Sequence, residues 1–170
     1  MVFKKYVRRN SLRLPGYDYR RGGAYFVTIL ARGRQQFFTD PILRVILKKE
    51  WKNLKSRFPA IKLDAFVIMP DHIHFVLWID GRFEDRPSLS QVIRAYKFIV
   101  SNKWINHFRN TSTGCDGKIW QPSFYDCIIK NRRHLLAVRQ YIINNPINAL
   151  KHQEKTYTQR LKQKSHQTPS

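Results

Sequence analysis

The chain has 170 residues, with 32 Lys and Arg against 11 Asp and Glu, and a formal net charge of +21 at pH 7. Hydrophobic residues make up 42% of it, enough to bury a core, which excludes a chain disordered throughout. This length suits one compact domain with short appendages. The basic excess favours a polyanionic partner: nucleic acid first, an anionic membrane surface second, and an acidic protein third.

The sequence contains no apolar run long enough to cross a membrane and no secretory pattern at its start. Its two cysteines, Cys115 and Cys127, are too few for a disulfide scaffold. We therefore expect an intracellular protein in a reducing compartment.

Residues 1–23 carry seven basic residues and one acidic residue, and the Pro15-Gly16 pair breaks regular structure. We predict a basic arm here, in which arginines clamp phosphates and tyrosines stack on unpaired bases. The candidate DNA-binding residues of the arm are Arg8, Arg9, Arg13, Tyr17, Tyr19, Arg20 and Arg21.

The first predicted elements are a strand and a helix. Residues 24–30 are rich in β-formers and predict the strand. Asp40 followed by Pro41 is typical of a helix start, and the helix should end near Pro59. Its apolar face recurs at three- and four-residue spacing: Leu43, Leu47, Trp51, Leu54 and Phe58.

Two further strands and a second helix follow. Residues 63–69 and 72–79 predict a hairpin that turns at Pro70-Asp71. Ser88 or Ser90 caps the helix, whose apolar face is Leu89, Ile93, Tyr96, Val100, Trp104 and Phe108. The pattern assigns four aromatic residues to the core: Trp51, Phe66, Phe98 and Trp104.

A fourth strand over residues 123–130 and a third helix over residues 132–144, stopped by Pro146, complete the domain. We place the catalytic domain at residues 24–149 and a basic, mobile tail at residues 150–170. The order predicts an α+β, ferredoxin-like βαββαβ sandwich. It would have a four-stranded antiparallel sheet, two helices on one face, and one more C-terminal helix.

The most informative local pattern is His72-Ile73-His74 on the third strand. Side chains at i and i+2 share a face of a strand, so the two imidazoles project together and Ile73 points into the core. Such a pair could hold a divalent cation if a third ligand approaches. Two ordinary, partly exposed strand histidines are the plainer interpretation of this pattern alone.

A second pattern is Tyr141 and Asn145, one helical turn apart and beside the apolar stripe of Leu135, Val138 and Ile142. The pair could present a phenol nucleophile and a carbonyl ligand to one metal site. A free phenol ionises only near pH 10, so such a nucleophile needs help from a cation at the phosphate. An ordinary tyrosine at the end of a helix is again the plainer interpretation.

Both patterns, in this order and on this fold, resemble the single-tyrosine HUH transposases, specifically the group associated with repetitive extragenic palindromes. HUH denotes His-hydrophobic-His. The resemblance runs from about Ser11 to Ala149. It also rests on segments 14–19, 23–29, 64–70, 120–122, 124–126 and 141–146.

The resemblance implies that His72, His74 and Asn145 bind Mg²⁺ or Mn²⁺ and that Tyr141 is the nucleophile. It implies a metal-dependent transposase that cuts and rejoins single-stranded DNA beside hairpins through a 5′-phosphotyrosine. The partner would be hairpin-bearing single-stranded DNA in the cytoplasm of a bacterial cell, close to the nucleoid. A monomer is slightly favoured over a homodimer that exchanges the Tyr141 helix.

Basic residues outside the arm are further candidates for DNA contacts. Those on the second helix could follow the hairpin backbone, and so could those at the entry to the third. They are Arg94, Lys97 and Lys103, and then Lys130, Arg132 and Arg133.

Several alternatives stay open at this point. Relatives usually carry Asn where Asp71 stands, so Asp71 could either ligate the metal or shape the turn; relatives usually carry His where Cys127 stands. A zinc site of Cys115, Cys127, His72 and His74 lacks the usual spacing. The rival functions are a replication-initiator or relaxase-type HUH nuclease and a catalytically silent module that binds DNA or RNA hairpins.

Overall fold

The computed structural model describes residues 22–109 and 116–165, with the backbone alone over residues 151–165. Cys115 lies outside the described residues, and so do the candidate DNA-binding residues of the arm: Arg8, Arg9, Arg13, Tyr17, Tyr19, Arg20 and Arg21.

The strands are β1 Gly23–Leu30, β2 Ile61–Ile68, β3 His72–Ile79 and β4 Tyr125–Ile129. They form one antiparallel sheet in the order β2-β3-β1-β4. The predicted ferredoxin-like α+β fold is confirmed. The two central strands are β1 and β3, and β3 carries His72 and His74.

The helices begin where the capping residues predict. The Asp40 carboxylate accepts hydrogen bonds from the backbone N–H groups of Ile42 and Leu43 at 2.8 and 2.9 Å. Ser88, rather than Ser90, caps the second helix in a reciprocal box with Gln91. The helices are α1 Pro41–Arg57, α2 Leu89–Phe108 and α3 Arg132–Ser165.

The sheet is covered on both faces by apolar side chains. Ile73, Phe75 and Leu77 of β3 are fully buried in the main core with residues of α1 and α2. On the other face of the sheet, Phe26 of β1 and Val76 of β3 form a second cluster with α3. The residues of α3 in this cluster are Leu135, Val138 and Ile142. This alternation follows from the two-residue period of a strand, and it puts the His72 and His74 side chains on the α3 face.

The prediction that the third helix stops at Pro146 is wrong, because α3 continues to Ser165. The ring of proline fixes φ near the helical value and removes one backbone donor, so a helix that is favoured on both sides can pass through it. The following residues are good helix formers, among them Ala149, Leu150 and Lys151. The predicted boundary at residues 149 and 150 therefore falls inside α3.

The assignment of Phe98 to the core is also wrong, since 66% of this residue is exposed. The buried face of α2 runs through Ile93, Tyr96 and Val100. Phe98 stands two residues from Tyr96, which at about 100° per residue turns its side chain to the opposite side of the helix. None of the helices in the described part of the chain is both long and apolar enough to span a membrane.

Candidate active site

His74 lies near the middle of the α3 face and is only 5% exposed. Its Nδ1 is 2.8 Å from the hydroxyl oxygen of Thr28, which stands opposite it on β1. Burial first, and then the nearby His72 and Arg34, lower the pKa of His74 to about 3. The imidazole is therefore neutral at physiological pH, which is the form that binds a metal.

His72 is fixed through a chain of polar contacts. Its Nδ1 is 2.6 Å from Oδ1 of Asp71, and the other carboxylate oxygen is 2.9 Å from Nε of Arg34. Burial lowers the pKa of His72 despite the opposing effect of Asp71. With Nδ1 bound to the carboxylate, the neutral ring presents a bare Nε2. The His72 and His74 ring centroids are 4.5 Å apart.

The residue that holds Asp71 has a strained backbone. Arg34 has a φ of +59°, in the left-handed region that residues other than glycine rarely adopt. Its turn docks on the β2–β3 turn through a backbone hydrogen bond of 2.8 Å from Ala31 N to the carbonyl of Asp71. Strain of this kind concentrates at functional sites, where the surrounding structure over-determines it.

Tyr141 reaches the histidines from α3. Its hydroxyl is 3.5 Å from Nε2 of His74, and the ring centroids of the two residues are 5.3 Å apart. Phe26 contacts the tyrosine ring edge-on, with centroids 5.9 Å apart. The structure thus brings Tyr141 of α3 to two histidines of β3 that precede it by 67 and 69 positions in the chain.

An ion pair on the neighbouring strand ties α3 to the sheet. Two nitrogens of Arg139 donate to the Asp64 carboxylate at 2.9 and 2.7 Å, and the indole of Trp78 donates to it at 3.0 Å. Burial acts to raise the pKa of Asp64, but the hydrogen bonds from Arg139 and Trp78 outweigh it and hold the pKa below its usual value. Arg139 stands two residues before Tyr141, so this pair helps to set the position of the phenol.

The donor set fits a divalent cation. Nδ1 of each histidine has a partner, which leaves both Nε2 atoms for a metal. The amide nitrogen of Asn145 is buried without a hydrogen-bond partner. Flipping the side-chain amide by 180° would put its carbonyl oxygen at the position of this nitrogen, where it could bind a metal. Asp71 is the hydrogen-bond partner of His72, with its Oδ1 2.6 Å from Nδ1 of the histidine.

Other candidate DNA-binding residues lie away from this cluster. Arg94 is exposed on α2, across the sheet from Tyr141. The Lys97 ammonium is half-buried and donates to the carbonyls of Gln121 and Pro122 at 2.5 and 3.0 Å, and burial lowers its pKa to about 8. Lys103 donates at 2.6 Å to the buried Glu50. Both lysine ammonium groups therefore have hydrogen-bond acceptors within the protein.

Lys130, Arg132 and Arg133 are exposed where α3 begins. Their end of the sheet is the one where Ala24 pairs with Ile129, whereas His72 pairs with Leu30 at the other end. At 1.5 Å per residue, Arg132 stands about 14 Å along the helix from Tyr141. These three residues therefore lie well away from His72, His74 and Tyr141.

Comparison with known proteins identifies the family. The model of a family described as "Transposase IS200 like" matches residues 22–145. The chain belongs to this family. The match spans all four strands and both the His72-Ile73-His74 and the Tyr141 segments, so this is a DNA-processing enzyme of the IS200-like transposases.

Relatives of this IS200-like transposase agree with that result. An uncharacterized protein of Haemophilus influenzae is 30% identical over 159 residues, covering 82% of this chain and 88% of the relative. A REP-associated tyrosine transposase of Escherichia coli is 24% identical over 130 residues, covering 76% of this chain and 69% of the relative. The fold is similar to that of a REP-associated tyrosine transposase solved with a REP hairpin, with a TM-score of 0.60 and 24% sequence identity. The match covers 82% of this chain and 74% of that protein.

Sequence reasoning missed four residues around the transposase site: Thr28, Arg34, Asp64 and Arg139. Each acts on another residue of the site across 37 to 75 positions of the chain. No local pattern marks such partners. The one available signal is that Asp64 is an acidic residue in the middle of a strand that is otherwise mostly apolar, where an unpaired charge is costly.

Proposed function

We propose that this transposase cleaves and rejoins single-stranded DNA next to hairpin sequences, with Tyr141 as nucleophile and His72, His74 and Asn145 as ligands of Mg²⁺ or Mn²⁺. The observation that carries the proposal is the 3.5 Å contact between the Tyr141 hydroxyl and Nε2 of His74. Hairpin recognition is supported by the structurally similar REP-associated transposase, which was solved bound to a REP hairpin.

The proposed reaction conserves the phosphodiester bond energy. The Tyr141 oxygen attacks the scissile phosphorus and gives its proton to solvent. The bond to the 3′ oxygen breaks, and that oxygen takes up a proton from solvent and leaves as a 3′-hydroxyl. The product is a 5′-phosphotyrosine. Attack by a 3′-hydroxyl on the phosphotyrosine reverses the step onto a new end, so no nucleotide cofactor is consumed.

The residues of the chain have distinct tasks in this scheme. Thr28 and Asp71 orient the two imidazoles, while Arg139 and Asp64 dock the helix that carries Tyr141. A bound Mg²⁺ or Mn²⁺ would polarise a phosphate oxygen and neutralise the charge that develops in the transition state. Phosphate and water oxygens would complete the coordination, since these hard cations prefer oxygen ligands.

The test is the covalent adduct. Labelled single strands with several different hairpins are incubated with Mn²⁺ and analysed under denaturing conditions. The wild type should form a protein–DNA adduct that resists denaturant, and Tyr141→Phe should form none.

The matched control is Tyr125→Phe. Tyr125 is the β4 residue opposite Thr28, so it is a second tyrosine on the same face of the sheet. Its removal should leave the adduct in place. An adduct that forms with Tyr141→Phe but not with Tyr125→Phe would show that the nucleophile is Tyr125 and not Tyr141. A wild type that binds hairpins without forming an adduct would favour the silent binding module.

A further inference from the structure

A groove on the α2 side of the molecule is not used by the proposed reaction. It has a volume of about 460 Å³, between α2 and residues 120–124. Phe98 and Arg94 are both exposed and stand one helical turn apart at its wall. Trp120 and Phe124 provide further aromatic surface. The groove thus combines an exposed aromatic ring with a cation.

The far wall of the groove is held firmly. Lys97 donates to two successive backbone carbonyls of this segment, those of Gln121 and Pro122. In return, the indole of Trp120 donates to the Lys97 carbonyl at 3.1 Å. A preformed site of this kind loses little conformational entropy when a ligand binds.

The groove lies at the same end of the sheet as the histidines. Leu30, the last residue of β1, pairs with His72 on one side and accepts a hydrogen bond from Gln121 N at 3.0 Å on the other. Ala31 pairs with Trp120. Two strand spacings, about 10 Å, therefore separate His72 from the segment that forms the groove wall. A DNA strand leaving the histidines can reach it within a few nucleotides around the end of the sheet.

We propose that this groove binds an unpaired nucleotide of the single strand that flanks the hairpin, with its base stacked on Phe98 and its phosphate on Arg94. The inference rests on the proposed function and adds a path for the substrate. A single exposed ring beside an arginine suits an unpaired base, whose face is free to stack, better than a duplex, whose base faces are covered. The net charge of +21 complements any nucleic acid strand.

The test measures DNA binding without metal, in the presence of a chelator, so that no cleavage occurs. Three probes are used: a hairpin with single-stranded tails, the same hairpin without tails, and a single strand of mixed sequence. Phe98→Ala should weaken binding of the tailed hairpin and of the single strand by about tenfold, the usual effect of losing one stacked base. Binding of the hairpin without tails should not change.

Two variants accompany Phe98→Ala. Phe98→Tyr keeps the aromatic face and should bind like the wild type. Phe83→Ala removes another exposed phenylalanine, 45% exposed and in the loop before α2, and should have no effect. Phe98 is exposed, so thermal unfolding should show that Phe98→Ala folds normally.

The proposal is overturned if Phe98→Ala binds all probes like the wild type, or weakens the hairpin without tails as much as the others. A wild type that binds none of the probes also overturns it. Failure of the proposed function is distinguishable, because it appears as a missing covalent adduct while the Phe98 effect on metal-free binding persists.

Discussion

At the scale of single residues, the contacts from Arg34 through Asp71 to His72 hold Nδ1 of the histidine and leave its Nε2 for the proposed metal. A carboxylate at position 71 needs a cation, and the strained Arg34 supplies it. An amide at position 71 could accept the same hydrogen bond from His72 without carrying a charge. The charge of Arg34 should therefore matter less when residue 71 is uncharged.

We therefore expect Asp71→Asn to rescue Arg34→Ala. Arg34→Ala alone leaves a half-buried carboxylate with one partner and should slow adduct formation by about 10- to 100-fold, the usual effect of losing such a supporting contact. Asp71→Asn alone should react nearly as fast as the wild type, and the double variant should match it. The measurement is the rate of adduct formation at saturating Mn²⁺ and fixed pH. A double variant no faster than Arg34→Ala would refute this chain of contacts.

At the scale of secondary-structure elements, the position of α3 decides where the phenol lies. Leu135, Val138 and Ile142 of α3 are buried against the sheet, with Tyr141 packed beside them. Among the described residues, Arg139 with Asp64 is the ion pair that joins α3 to the sheet. The carboxylate is mostly buried, whereas the Arg139 side chain is 41% exposed, so solvent screens part of the attraction.

Asp64→Asn should lower the free energy of unfolding at pH 7 by about 1 kcal/mol, a value discounted for the exposed arginine. The pKa of Asp64 is lowered in the folded protein, so the stability that it contributes is present above the unfolded pKa of about 4. This contribution to stability is lost as the pH falls through the pKa of Asp64 in the folded protein. The difference between wild type and variant should therefore shrink in acid, as measured by urea unfolding at several pH values.

The matched control for this prediction is Asp85→Asn, which removes an exposed carboxylate from the loop before α2. It should leave the stability unchanged at neutral pH. If Asp64→Asn behaves in the same way, the ion pair does not dock α3.

At the scale of the whole molecule, the positive charge is spread over separate parts of the chain. Seven basic residues precede Gly22, which packs so closely on Gly81 that a side chain would not fit: a Cβ on Gly22 would lie 2.5 Å from Gly81 N. A deletion of residues 1–21 keeps this contact and the whole described sheet.

We predict that this deletion lowers the affinity for hairpin DNA by about tenfold or more and reduces its salt dependence, because phosphate contacts release counterions. Thermal unfolding should change much less. Deletion of residues 166–170, which contain no Lys or Arg, is the control and should leave binding unchanged. Equal binding without the arm would show that the arm plays no part in recognition.

The sequence alone was enough to predict the sheet, its order of elements and most of the core. Alternation on β3 and the spacing along α1 and α2 are local periodicities, and the caps at Asp40 and Ser88 are local hydrogen bonds. Local patterns were insufficient at Pro146, where the good helix formers that follow it outweigh one lost backbone hydrogen bond. They were also insufficient at Phe98, an aromatic residue on the exposed side of its helix.

The sequence by itself also supplied the candidate site residues, because His72-Ile73-His74 and Tyr141 with Asn145, in this order on this fold, resemble the motifs of a known family. Only the tertiary structure decided how close these groups lie and which ring nitrogen of each histidine is held by a neighbour. It also decided that the ammonium groups of Lys97 and Lys103 donate to acceptors within the protein. The physical reason is that hydrogen bonds and ion pairs form between atoms close in space. Pairs such as Thr28 with His74 or Asp64 with Arg139, 46 and 75 positions apart, leave no periodic trace in the chain.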